Sequence, residues 1–124
     1  MSDLPTVVDD FIAGLDGDTR RVAYGEWGIT LEAAGWPLHV GVALRDGLLR
    51  AQAHVAGPDR LAPHQLLVWN RQVPLVRFSH TRDGDVWVQV DLPRSSVDPG
   101  QLDGVLGLLV RVATQAREAA ADPA

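Results

Sequence analysis

The chain has 124 residues, no cysteine, and 11 basic against 16 acidic side chains, which gives a formal charge of −5 at pH 7. This length predicts one domain over residues 1–124. The lack of cysteine excludes disulfides and thiolate metal ligands. An acidic chain without a basic cluster argues against nucleic acid as a partner, because that affinity depends on neutralising phosphates. No apolar run approaches the roughly 20 residues of a membrane span, and no signal peptide is evident, so we expect a cytoplasmic protein.

The N-terminal segment predicts a helix that begins after Ser2 or Asp3, either of which can cap it. Its apolar residues recur at helical spacing and form one stripe: Leu4, Val7, Val8, Phe11, Ile12 and Leu15. The cluster Asp16-Gly17-Asp18 ends this helix. Residues 20–25 are ambiguous, because Val22 and Tyr24 also fit an early strand.

From Trp27 the apolar residues alternate with polar ones, which predicts strands with one buried face. We interpret residues 34–37 as a turn that pairs Ala33 with Leu38. Asp46-Gly47 is a strong signal for a two-residue hairpin turn. This turn aligns apolar positions on the two strands that it joins: Leu44 with Leu49, Val42 with Ala51, and Val40 with Ala53.

A second hairpin is predicted over residues 75–92, after a short helix at 62–71. A two-residue turn here would place apolar residues opposite polar ones. A three-residue loop, 82–84, keeps each face consistent, with Gly84 in the left-handed position. It pairs residues as follows: Val76 with Val90, Phe78 with Val88, and Arg77 with Gln89.

The last element is a long helix whose start is marked by Ser95 or Ser96 and then by Asp98-Pro99. It carries an apolar stripe to Ala116, and residues 118–124 are predicted as a frayed tail. The element order is therefore α-β-β-β-α-β-β-α. We predict an α+β fold in which the N- and C-terminal helices cover one face of a five-stranded antiparallel sheet. The other face is left open to water or to a partner.

Three stretches resemble the YbjN-like family, which is related in fold to the chaperones of type III secretion. They are Leu-Leu-Val-Trp-Asn-Arg at 66–71, Val-Arg-Phe at 76–78, and Asp-Gly-Asp-Val-Trp-Val-Gln-Val-Asp-Leu at 83–92, followed by the apolar helix. The resemblance covers the second half well and the first half through element order only. It implies a type III secretion chaperone-like fold, often dimeric, that binds protein segments or acts as an accessory regulator. It implies no catalytic residues.

Three polar residues of the outward face form a candidate metal set. The Asp46-Gly47 turn places His39 opposite His54, and the predicted turn at 34–37 places Glu32 beside His39. Two histidines and a carboxylate suit a metal in type and number. The alternative, which the sequence favours, is that a water-facing sheet simply carries polar residues here.

Aromatic residues outside the predicted core indicate a binding surface. Trp87 shares its face with Arg77, Ser79 and Gln89, and Trp36 is also predicted outside the helix-facing core. Tryptophan and arginine are enriched among binding hot spots. The alternative is that a loop or the tail covers these rings within the monomer. Trp69, on the short helix, is interpreted as structural or as part of a dimer contact.

No catalytic signature is present in the sequence. There is no Gly-x-Ser-x-Gly elbow and no glycine-rich phosphate loop after a strand. We therefore expect a non-enzymatic module without a cofactor. The family resemblance and the aromatic outward face imply that it binds a protein or peptide, and the resemblance implies a homodimer. A metal-binding protein or metal-dependent enzyme that uses the Glu32, His39 and His54 set is the alternative.

Overall fold

The structure, a computed structural model, describes residues 3–121. Within these residues the chain forms one antiparallel sheet and three α-helices. The elements are, in order, α1 (Leu4–Ala13), β1 (Asp18–Ala23), β2 (Glu26–Ala33), β3 (Trp36–Arg45), β4 (Leu48–Ala56), α2 (Pro63–Gln72), β5 (Arg77–His80), β6 (Val86–Pro93), a 3-10 turn (Arg94–Ser96) and α3 (Pro99–Ala121).

The sheet has six strands in the order β1-β2-β3-β4-β6-β5, and every neighbouring pair is antiparallel. The predicted α+β class and antiparallel sheet are therefore confirmed, whereas the predicted count of five strands is wrong. The additional strand is β1, at one edge of the sheet. Every residue of β1 except Thr19 is exposed, so its sequence lacks the alternation that marks a strand with one buried face.

Helices α1 and α3 pack on one face of the sheet, which we call the covered face. Alternate strand residues lie beneath them and are buried, including Val40, Ala53 and Val88. The residues between them, such as Gln52 and Gln89, point to the opposite side, which we call the open face. Burial of apolar side chains on one face only is what fixes the pairing register of all the central strands.

Both predicted hairpin registers are confirmed. In β3–β4, Leu44 pairs with Leu49 and Val40 with Ala53, and in β5–β6 Phe78 pairs with Val88. The loop between β5 and β6 is closed by a hydrogen bond from the Gly84 N–H to the Thr81 carbonyl, 2.9 Å. Gly84 has φ of +94°, the left-handed conformation that this loop requires.

The predicted turn between β2 and β3 is wrong. Ala34 and Gly35 form a two-residue turn in which both residues have positive φ, 55° and 92°. Ala33 therefore pairs with Trp36 and not with Leu38. The sequence signal is weak because alanine rarely adopts positive φ. Every pairing predicted across this turn is shifted as a result.

One predicted residue caps the start of each terminal helix, Asp3 for α1 and Asp98 for α3, whereas Ser95 and Ser96 lie in the 3-10 turn before α3. The Asp3 side chain accepts a hydrogen bond from the Thr6 N–H at the start of α1, which lowers the pKa of the Asp3 carboxyl. Asp98 accepts from the Gln101 N–H at the start of α3. The tail predicted from Glu118 is wrong for residues 118–121, which continue α3; residues 122–124 lie outside the described part. No helix among the described residues is long and apolar enough to cross a membrane.

Candidate functional site

Four of the predicted binding residues lie together on the open face, on the paired strands β5 and β6. Arg77 is directly opposite Gln89, and Ser79 is directly opposite Trp87. Gln89 is in turn opposite Gln52 of β4. Within the part of the chain that the structure describes, no helix covers this part of the sheet. Helices α1 and α3 pack on the other face, and α2 contacts β5 through Trp69 and Phe78, on that same covered side.

Trp87 is half-buried by its neighbour on β4. The ring of His54 meets the Trp87 ring edge to face, with centroids 5.5 Å apart and planes at 82°. His54 Nε2 also lies 3.0 Å from Asp85 Oδ1. The indole is thus held in one orientation while its remaining surface faces solvent, which is how a rigid aromatic anchor contributes to an interface.

Arg77 is held by the loop that leads into β5. Its Nη1 donates to the carbonyls of Val73 at 2.8 Å and Val76 at 2.9 Å. The side chain is exposed and keeps its other N–H groups for a partner. Because its charge is fixed in place, less side-chain entropy would be lost on binding.

Two ion pairs border this region. Arg50 donates two hydrogen bonds to Asp91, at 2.7 and 3.1 Å, and these raise the pKa of the Arg50 guanidinium. Arg45 pairs with Glu26. Exposed ion pairs of this kind contribute little to stability, so they characterise the surface more than they hold the fold.

A depression of about 390 Å³ lies beside these ion pairs. It forms where β3 carries Gly41 and Ala43, since a Cβ atom at Gly41 would meet nothing within 4 Å. Glu26, Arg50 and Gln52 are among its lining residues. The open face is therefore an uneven polar surface with one aromatic anchor.

The predicted metal set does not form. His39 Nδ1 lies 3.0 Å from Thr30 Oγ1, and Glu32 faces Pro37 because the β2–β3 turn is shorter than predicted. His54 pairs with Asp85 instead. The part of the chain that the structure describes contains no group of three or more histidine or acidic residues able to hold a metal ion.

Trp36 lies on the covered side of the sheet but does not belong to the buried core, in agreement with the prediction that placed it outside the helix-facing core. It has the same strand parity as Leu38, and its ring stacks on the guanidinium of Arg117, 3.4 Å from the ring centroid to the guanidinium carbon. Its side chain is 45% exposed. Trp36 is therefore separated by the sheet from the four predicted binding residues of the open face, Trp87, Arg77, Ser79 and Gln89.

Arg117 is a residue that sequence reasoning missed. It is 3% exposed, and its five N–H groups donate to carbonyl oxygens at 3.0–3.3 Å, those of Ala33, Trp36, Pro37, His54 and Val55. Among residues 3–121 no carboxylate lies within ion-pair distance of its guanidinium. Burial lowers the pKa of its guanidinium. Arg117 ties α3 to the β2–β3 turn and to the end of β4.

Trp69 and Asn70 connect α2 to the edge of the sheet. The Trp69 ring packs on Phe78, with centroids 5.2 Å apart. The Asn70 amide accepts from the Phe78 N–H at 2.7 Å and donates to the Phe78 carbonyl at 3.2 Å. Asn70 thereby satisfies the free backbone edge of β5, which would otherwise be open to pairing with another strand. This position shows Trp69 to be structural in part.

Comparison with known proteins identifies the family. The family model for YbjN, described as "Putative bacterial sensory transduction regulator", matches residues 44–122, which is more than half of the chain. The chain belongs to the YbjN family. No curated protein matches it.

Solved structures share the fold of this YbjN-family chain at low sequence identity. The Yersinia pestis type III secretion chaperone SycH, in complex with a fragment of YscM2, has a TM-score of 0.69 at 20% identity over 92% of this chain and 99% of that one. The ExsC–ExsE complex gives 0.71 at 17% over 94% and 96%. The HopA1–SchA chaperone–effector complex gives 0.70 at 15% over 91% of each. At these identities the likeness shows the fold alone.

Proposed function

We propose that this protein is a cytoplasmic, non-enzymatic protein-binding module, chaperone-like or an accessory regulator, that holds a segment of a protein partner on its open face. The observation that carries the proposal is the alignment of Trp87, Arg77, Ser79 and Gln89 on two paired strands. These residues combine an aromatic anchor, a fixed guanidinium, a hydroxyl and an amide on a surface that none of the described helices covers.

The chemistry of these groups suits a polypeptide better than a small molecule. The Gln52 and Gln89 amides each offer a donor and an acceptor, as a peptide backbone requires. Trp87 supplies apolar contact area. The depression beside Arg50 is open to solvent and has charged residues such as Glu26 and Arg45 in its lining, unlike the pockets that enclose small ligands.

The structural relatives support a protein partner as the ligand class. SycH is seen with a fragment of YscM2, SchA with HopA1, and ExsC with ExsE. Each of these pairs consists of two proteins. A shared fold makes the same class of ligand a reasonable proposal for this chain, although fold by itself does not carry function.

Capture of partners from native lysate by purified variants tests the open face. We expect Trp87→Ala and Arg77→Ala each to lose proteins that wild type retains, as identified by mass spectrometry. Arg111→Ala is the matched control, since Arg111 is exposed on α3, outside the open face. If all four proteins retain the same partners in the same amounts, the open face is not the binding surface.

Homodimer formation is a separate proposal, supported by exposed apolar side chains on α2 and the loop after it. Leu67 is 67% exposed, Leu75 58% and Val68 43%. Contiguous exposed apolar residues often mark a protein interface. Light scattering over a concentration series should show a dimer that Leu67→Glu converts to a monomer. A wild-type monomer at every concentration would rule this out.

A further inference from the structure

A cleft of about 300 Å³ lies between α1 and α3, on the opposite side of the sheet from the open face. Its floor consists of Ile29, Val40 and Leu106, all of which are buried. Half-buried apolar side chains form its walls: Phe11, Leu15, Leu31 and Val110. The two helices therefore do not close over the core here, and apolar surface remains accessible from outside.

A glycine in α3 keeps the mouth of this α1–α3 cleft open. A Cβ atom at Gly107 would meet nothing within 4 Å, so no close packing contact requires glycine. Glycine destabilises a helix interior relative to alanine. The consequence of glycine at position 107 is that no side chain there fills the space between Leu106 and Val110 at the cleft.

Two acidic residues are among those that line the cleft. Asp16, just after α1, and Asp103, on α3, both contribute to it. In the described residues neither carboxylate has a basic side chain within ion-pair distance. The apolar cleft thus carries uncompensated negative charge, on a chain whose formal charge is −5.

We propose that the α1–α3 cleft binds a large apolar side chain from a segment of a partner protein, with a neighbouring lysine or arginine of that segment pairing with Asp16 and Asp103. The proposal rests on the proposed function in taking a polypeptide as the ligand, and it assigns a second contact surface. The size of the cleft, at the lower end of the ~300–1,000 Å³ range of ligand pockets, suits individual side chains. The charge complementarity selects a basic segment over an acidic one.

Two fluorescein-labelled synthetic helical peptides test the proposal. Both have leucine at the same positions, and the remaining positions are lysine in one peptide and glutamate in the other. Fluorescence anisotropy should show that the wild type binds the leucine–lysine peptide and not the leucine–glutamate peptide. Gly107→Leu fills the mouth of the cleft and should weaken binding by at least roughly tenfold, the usual effect of removing an anchor contact.

Gly104→Leu is the matched control for the steric block. Gly104 is also an exposed glycine of α3 with nothing within 4 Å of a Cβ atom, but it does not line the cleft. Leucine is a better helix former than glycine, so both variants should fold at least as stably as wild type. Gly104→Leu should bind the leucine–lysine peptide with unchanged affinity. Equal binding by Gly107→Leu and wild type would overturn the proposal.

A second set of variants tests the charge. Asp16→Asn together with Asp103→Asn should weaken binding of the leucine–lysine peptide and reduce its salt dependence, whereas Glu118→Gln should not. Trp87→Ala separates this proposal from the proposed function and should bind the peptide normally. If Trp87→Ala alone abolishes binding, the peptide occupies the open face and the cleft assignment is wrong. Binding of neither peptide by wild type would also overturn it.

Discussion

The two faces of the sheet are built from the same strands and differ in almost every physical respect. On β6, Val88 and Val90 are buried under α3, while the alternate residues Gln89 and Asp91 face outward in polar rows. Apolar burial on the covered face supplies the stability. The open face contributes exposed hydrogen bonds and ion pairs worth little to folding. Substitutions on the open face can therefore change binding without changing the fold.

Arg117 is the exception to this division, because it is a charged residue on the covered side. Arg117→Met keeps the apolar stem and removes the guanidinium that serves five carbonyls. We expect the largest effect of any substitution discussed here, a loss of about 3 kcal/mol or more in unfolding free energy, because buried carbonyls left without partners cost ~1–3 kcal/mol each. Urea denaturation followed by circular dichroism measures it.

Arg111→Met is the control for this experiment. Arg111 lies on the same helix and is exposed, and surface substitutions of this kind usually change stability by less than about 0.5 kcal/mol. If both variants unfold at the same urea concentration, the hydrogen bonds of Arg117 to the carbonyls make no net contribution to stability. Burial of apolar groups alone would then account for the stability that the covered side provides.

Adjacent residues of β6 give the sharpest test of the two-face comparison. Val88→Ala removes two methyl groups from a fully buried position and should cost about 2 kcal/mol. Gln89→Ala, one position away on the open face, should cost less than about 0.5 kcal/mol. Denaturation of the two variants side by side measures the difference. Equal losses of unfolding free energy would mean that side chains of the open face also stabilise the fold.

The sequence predicted the faces wherever alternation was clean and a glycine marked the turn. Asp46-Gly47 and Gly84 fixed two hairpin registers, and with them the positions of Trp87, Arg77, Ser79 and Gln89. These predictions succeeded because a slip of one residue would move apolar side chains to the wrong face.

The failures share a different cause, which is that local sequence does not encode them. Ala34 adopts a left-handed conformation with no local signal, and this displaced Glu32 from His39. β1 is an exposed edge strand without alternation. The partners of Arg117 are backbone carbonyls more than 60 positions away in the chain. Every residue type has a backbone carbonyl, so the sequence does not indicate which of them Arg117 contacts.

Two glycines show the difference between a structural and a permissive position. Gly84 has φ of +94° and would place a Cβ atom 3.4 Å from Pro58 Cβ. Gly84→Val should therefore cost about 1–3 kcal/mol through backbone strain, with the loss measured by thermal unfolding. Gly41 lies on the open face without positive φ or close neighbours, and valine favours strands, so Gly41→Val should be neutral or slightly stabilising. A neutral Gly84→Val would mean that the β5–β6 loop can adopt another turn, and the alignment of Arg77 with Gln89 would then no longer be fixed by it.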